Sequence, residues 1–68
     1  MKLLDMVAVL ASSGDPEVQS GDVGTVVELL PDGGLEVEFL NPDGRTRHVG
    51  TLSTDDVLVL NRERTRVA

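Results

Sequence analysis

The sequence predicts an all-β protein: a small five-stranded barrel with one 3₁₀ turn before its last strand. Three observations carry that expectation. Leu35 to Phe39 alternates strictly, with Leu35, Val37 and Phe39 on one face and Glu36 and Glu38 on the other. A period of two is the mark of a half-buried strand. Two turns of the same chemistry, Pro31-Asp32-Gly33-Gly34 and Asn41-Pro42-Asp43-Gly44, bracket that strand. Short β-branched runs with turn formers between them fill the rest of the chain.

Taken in order, Leu3 to Leu10 is apolar apart from Asp5. Val7 and Val9 tilt it towards strand, although periodicity alone leaves helix open for so short a run. Ala11 to Ser20 reads as a loop, because Ser12-Ser13-Gly14-Asp15-Pro16 is dense in turn formers. Gly21 to Leu40 is a β-hairpin joined at Pro31 to Gly34. Proline presets φ for the first central position, aspartate suits the second, and glycine takes the positive φ that closes the turn. Gly21, Gly24, Gly33, Gly34 and Gly44 are therefore read as structural turn positions. Arg45 to Leu52, with Thr46, His48 and Val49, adds a third strand to make a meander. Ser53-Thr54-Asp55-Asp56 is a capping pattern with room for one 3₁₀ turn. Val57 to Leu60 is the last strand. This order is that of an SH3-like barrel, in which the first and last strands pair to close the sheet. The domain spans residues 1–60, and the polar, arginine-rich residues 61–68 are expected to be a flexible tail.

Composition narrows the function. Sixty-eight residues allow one domain and a small core. The absence of cysteine excludes a disulfide framework and thiolate metal sites, and favours a reducing cytoplasm. The opening residues have no long apolar stretch, and nothing approaches the roughly 18 apolar residues of a membrane span, so the expectation is a soluble cytoplasmic protein. Net charge is −6, unevenly laid out. Residues 1–44 carry one base, Lys2, against nine acids. Residues 45–68 carry five arginines against Asp55, Asp56 and Glu63. Such a body repels phosphate backbones and anionic membranes. Its acids either simply keep a small domain soluble or form a docking face for a basic partner.

Candidate chemistry is sparse. Gly21-Asp22-Val23-Gly24-Thr25-Val26 resembles the heart of the KOW motif of ribosomal and transcription-factor barrels. In that family basic residues around the first glycine meet RNA; here Ser20 and Asp22 stand there. The glycines also have a structural reason in a tight bend. His48 is the only histidine, so a metal site would need carboxylates alone as its partners, and a packed or solvated strand histidine is the simpler reading. The serines lack a nucleophile elbow and a nearby base. No catalytic residue, metal ligand, cofactor or small-molecule substrate is assigned. Phe39 is the single aromatic and falls on the apolar face, which assigns it to the core. A proline-peptide groove, a methyl-lysine cage and a base-stacking platform all need aromatics that this chain does not have.

Several stretches together resemble one family. They are Leu3 to Ala8, Gly21 to Glu28, Glu36-Val37-Glu38-Phe39 and Val57 to Leu60, covering roughly residues 3–60. The family consists of small bacterial proteins catalogued as a domain of unknown function, numbered four-nine-two-six. The resemblance implies an SH3-like barrel, no established activity, and a role as a small companion of other proteins, as in toxin and immunity pairs. Arg47-His48 departs from it, since apolar residues are expected there. The function expected is a non-catalytic, acidic protein-interaction module; the alternative is a KOW-like RNA or ribosome binder. Leu3 to Leu10 and Val57 to Leu60 are apolar on nearly every residue, which a strand wetted on one face does not need. Val57, Leu58, Val59 and Leu60 are therefore candidate partner-binding residues, with Glu36 and Glu38 as acids of the rim. One alternating pair, Val57 and Val59 or Leu58 and Leu60, is expected to face outward towards a second copy or another protein.

Overall fold

The computed structural model describes residues 1–12 and 14–60. Five antiparallel strands form one sheet: β1 Met6–Val9, β2 Val23–Leu29, β3 Gly34–Leu40, β4 Thr46–Ser53 and β5 Val57–Leu60. Their spatial order is β4-β3-β2-β1-β5, and a 3₁₀ turn, Thr54–Asp56, joins β4 to β5. The expected meander is β2-β3-β4, and the first and last strands pair from Met6↔Leu60 to Val9↔Val57.

Local chemistry accounts for the connections. Gly33 holds φ +88 and donates its N–H to the Leu30 carbonyl at 3.2 Å, while Asp32 Oδ1 accepts from Gly34 N at 2.9 Å. The second turn repeats this arrangement. Gly44 holds φ +88 and donates to Asn41 O, and Asp43 Oδ1 accepts from Arg45 N at 2.9 Å. In both, the aspartate ties its own turn two residues on. Ser53 caps the 3₁₀ turn, its hydroxyl accepting from Asp55 N at 3.2 Å. The Asp56 carbonyl then accepts from Leu10 N and Ala11 N, which pins the crossing to the end of β1.

The inner face of the sheet wraps a core of Val7, Val9, Val26, Leu35, Val37, Phe39, Leu52 and Val57, to which the first loop adds Val18. Among the described residues no buried polar or charged side chain is mixed into it. Phe39 is the largest member and is fully buried. Gly24 lies against it: a Cβ there would sit 2.6 Å from Val37 Cγ1, 2.8 Å from the Glu38 carbonyl oxygen and 2.9 Å from Phe39 Cδ1. Gly21, by contrast, is needed for its φ of +94.

The structure departs from expectation in three places. Leu3 and Leu4 are not strand. Asp5 folds back to Lys2, accepting from its N–H at 2.9 Å, and Leu4 takes φ +69 and is 70% exposed. The strand starts only at Met6, once that turn is complete. The sheet is open, not a closed barrel: β4 and β5 are its two edges. The Thr54–Asp56 turn carries the chain across the core to β1 instead of back along β4. Two bulges also interrupt the ladders. Val27 is the extra residue between Val26↔Val37 and Glu28↔Glu36, and Arg47 is the extra one between Phe39↔His48 and Leu40↔Thr46. The expected flexible tail, residues 61–68, lies outside the described residues.

Two substitutions test this core. Phe39→Ala should cost about 3–5 kcal/mol, most of what so small a domain has, leaving the protein largely unfolded at physiological temperature. A melt shifted by only a few degrees would place Phe39 outside the core. Gly24→Ala should cost about 1–3 kcal/mol through overpacking, because two of its three nearest neighbours are backbone and a core ring that cannot swing away.

Candidate functional site

Residues paired across an antiparallel ladder share a face. One outer row therefore runs Leu60–Met6–Thr25–Glu38–Val49 across all five strands, and a second runs Leu58–Ala8–Val23. Leu58 is 55% exposed, and Val23, Leu40 and Val49 are exposed as well. Leu58 and Leu60 are thus the pair that shares the outer face with Met6 and Ala8. Val57 pairs with Val9 and is buried, so it belongs to the core and not to a partner surface. Val59 pairs with fully buried Val7 yet is itself 41% exposed, because β5 is an edge strand.

The expected rim acids lie on this face but not beside β5. β1 and β2 separate them from it, a distance of about 15 Å at the usual strand spacing. Glu38 accepts a hydrogen bond from Thr46 Oγ1, and Glu36 accepts from Thr51 Oγ1 at 2.7 Å. The Val27 bulge brings a third acid to the face: Glu28 stands directly opposite Glu36. Like charges placed opposite each other destabilise a sheet. None of the three carboxylates meets a lysine or arginine among the described residues.

A second constellation fastens the first loop to β4. The bulge turns Arg47 out of the ladder and over Phe39, its guanidinium 5.5 Å from the ring centroid. From there Nη1 donates to the Glu17 carbonyl at 3.0 Å, and Nη2 lies 3.5 Å from Asp22 Oδ2. His48 stacks on Phe39 and places Nε2 2.9 Å from Asp15 Oδ2. Asp15 Oδ1 accepts from Glu17 N at 2.9 Å. A Cβ at position 50 would lie 2.9 Å from Asp15 Oδ2, so Gly50 leaves room for this contact. The hydrogen bond from His48, aided by that from Glu17 N, holds the Asp15 carboxyl below its ordinary value of 3.8 against a smaller opposing effect of burial. Val18, buried at the centre of the loop, completes the attachment. Pro16, Glu17, Gln19 and Asp22 of the loop, with Val23, Leu40 and Arg47, line a polar cleft of about 410 Å³.

His48 is therefore hydrogen-bonded to Asp15 as well as packed on Phe39. Arg47-His48, where apolar residues were expected, is the fastening point of the loop. Within Gly21 to Val26, Asp22 is spent on Arg47 and on Gln19 N, which donates to it at 2.9 Å. Among the described residues no group of three or more His, Asp or Glu side chains is placed to hold a metal ion. No helix of the described residues is long and apolar enough to cross a membrane. Val18 carried a weak signal, as a lone aliphatic in a polar loop. The Asp15 and Arg47 contacts carried none.

The fold and this site define a small all-β domain with an aliphatic core, one pinned loop, and an apolar outer face bordered by acids. The chain belongs to the family described as Domain of unknown function (DUF4926), whose model matches residues 3–59. No curated protein and no solved structure matches it.

The loop fastening predicts a pH dependence. Asp15 has a lower pKa folded than unfolded, so its contribution is complete above the ordinary value and is lost as pH falls through the folded one. Asp15→Asn should lower Tm near neutral pH, and its gap to the parent should close below about pH 4. A gap that persists unchanged into strong acid would show that the lost stability is not electrostatic. Glu28→Gln should do the opposite and stabilise the free protein by about 0.2–1 kcal/mol, measurable by urea denaturation.

Proposed function

We propose that this protein is a non-catalytic, acidic protein-interaction module, an antitoxin-like or accessory partner of another protein in the bacterial cytoplasm. The observation that supports it is the outer face of β5, β1 and β2. There Leu58, Leu60, Met6, Ala8 and Val23 form adjoining rows, and no second layer of described residues covers them. An antiparallel sheet that faces only water carries polar residues on that side, and contiguous exposed apolar surface marks an interface. The absence of cysteine supports the reducing compartment. The SH3-like reading of the fold belongs to the same proposal. Its support is the sequence of a meander, a 3₁₀ turn and a last strand returning to pair with the first.

Paired variants test the module. Leu58→Glu should leave the melt within a few degrees of the parent but abolish affinity capture of its partner from the native cell. Val57→Glu should unfold the chain, since Val57 is buried on the inner face and pairs with buried Val9. Capture that survives Leu58→Glu would move the interface elsewhere. Nuclease treatment of the same samples addresses the KOW-like reading. The captured protein should remain, and mixed RNA at physiological salt should give no saturable anisotropy change.

A further inference from the structure

We propose that the partner of this face is a basic one. Its surface has an apolar centre that covers Leu58, Ala8, Met6 and Val23, flanked by lysines or arginines that meet Glu28, Glu36 and Glu38. The proposal rests on the interaction reading above and adds the chemistry of the occupant.

Two features of the acids carry it. The first is that Glu28 and Glu36 oppose each other across β2 and β3, an arrangement that costs the free domain stability. No cation among the described residues relieves it: Arg45 lies beside Asp43 and Arg47 beside Asp22. The second is that Glu36 and Glu38 are held in place by the Thr51 and Thr46 hydroxyls, next to the apolar rows that a partner would cover. A partner that reaches β3 strips water from these carboxylates. That is strongly unfavourable unless cations replace the water. The same argument counts against a second copy. A second copy presents the same three carboxylates on this face where cations are needed, on a molecule that itself carries a net charge of −6. A basic partner relieves the Glu28–Glu36 repulsion and satisfies the desolvated acids in one step.

The test uses two labelled amphipathic peptides of identical pattern, one with leucine and lysine, the other with leucine and glutamate. Anisotropy is read at physiological salt. The lysine peptide should bind saturably and about tenfold or more tighter than the glutamate peptide. Leu58→Ser should abolish that binding. Glu28→Gln should raise Tm and yet weaken binding, opposite signs that a purely structural acid would not produce. Glu36→Lys/Glu38→Lys should invert the preference between the peptides. Asp43→Asn, an equal change of charge at the far end of β3, should leave it unchanged; equal weakening by Asp43→Asn and Glu28→Gln would mean that net charge and not this face selects the peptide, and would overturn the proposal. Equal binding of both peptides, lost in Leu58→Ser, would keep the interaction face and overturn the basic partner. Binding of neither would overturn both. A dimer in light scattering that Leu58→Glu dissolves would make a second copy the occupant and overturn the proposal as well.

Discussion

The Phe39 ring is the contact on which the rest of this molecule depends. It is the one aromatic in a core otherwise built of valine and leucine, and it fills the middle of the sheet's inner face. Gly24 has no side chain because β2 must pass close to that ring and to the β3 backbone behind it. On the other side, β4 bulges so that Arg47 lies over the ring while His48 stacks against it. Those two side chains then hold Asp15, Asp22 and the Glu17 carbonyl. The first loop is thus attached to the core through two side chains laid on one buried ring, with Val18 as its second anchor. A domain with so little apolar volume has few other ways to fix a long loop.

The two faces of the sheet follow different rules. The inner face is dry and aliphatic, with polar groups kept to its margin. The outer face is neither properly wet nor properly dry: apolar on β5, β1 and β2, and acidic on the adjoining stretch of β2 and β3. Glu28 opposite Glu36 is unfavourable for the isolated domain, as is leucine exposed on an edge strand. Local choices that oppose stability in a chain with little to spare are where function is to be sought. Here both kinds fall on one surface, which ties the charge of the protein to its exposed hydrophobicity.

Much of the architecture was readable along the chain, because its signals are local. The alternation of Leu35 to Phe39, the aspartate-glycine pairs at Asp32-Gly33 and Asp43-Gly44, and the Ser53 cap each act within a few residues of themselves. Pairing of the first and last strands followed from the order of the elements, a meander and one helical turn before the last strand. Leu3 and Leu4 misled for the same reason: apolar residues read as strand, while the decisive contact was the Asp5 side chain turning back to Lys2 N.

What the chain could not show by itself is parity across strands. A period of two assigns faces within a strand, but a single bulged residue exchanges them beyond it. Val27 and Arg47 each do this, so Glu28 comes to oppose Glu36 and Arg47 comes to lie over Phe39, contacts that no reading of either strand alone contains. The choice between Val57 with Val59 and Leu58 with Leu60 was open in the sequence for the same reason, and the register of β5 on β1 decided it by setting Leu58 beside Ala8 and Val57 beside Val9. The Asp15–His48 pair, 33 residues apart in the chain, exists only because the loop folds over β4. The sequence by itself determined which segments are strands and turns, since those depend on neighbours a few residues away. Tertiary structure decided which side chains meet and which face water, since those depend on register between segments distant along the chain.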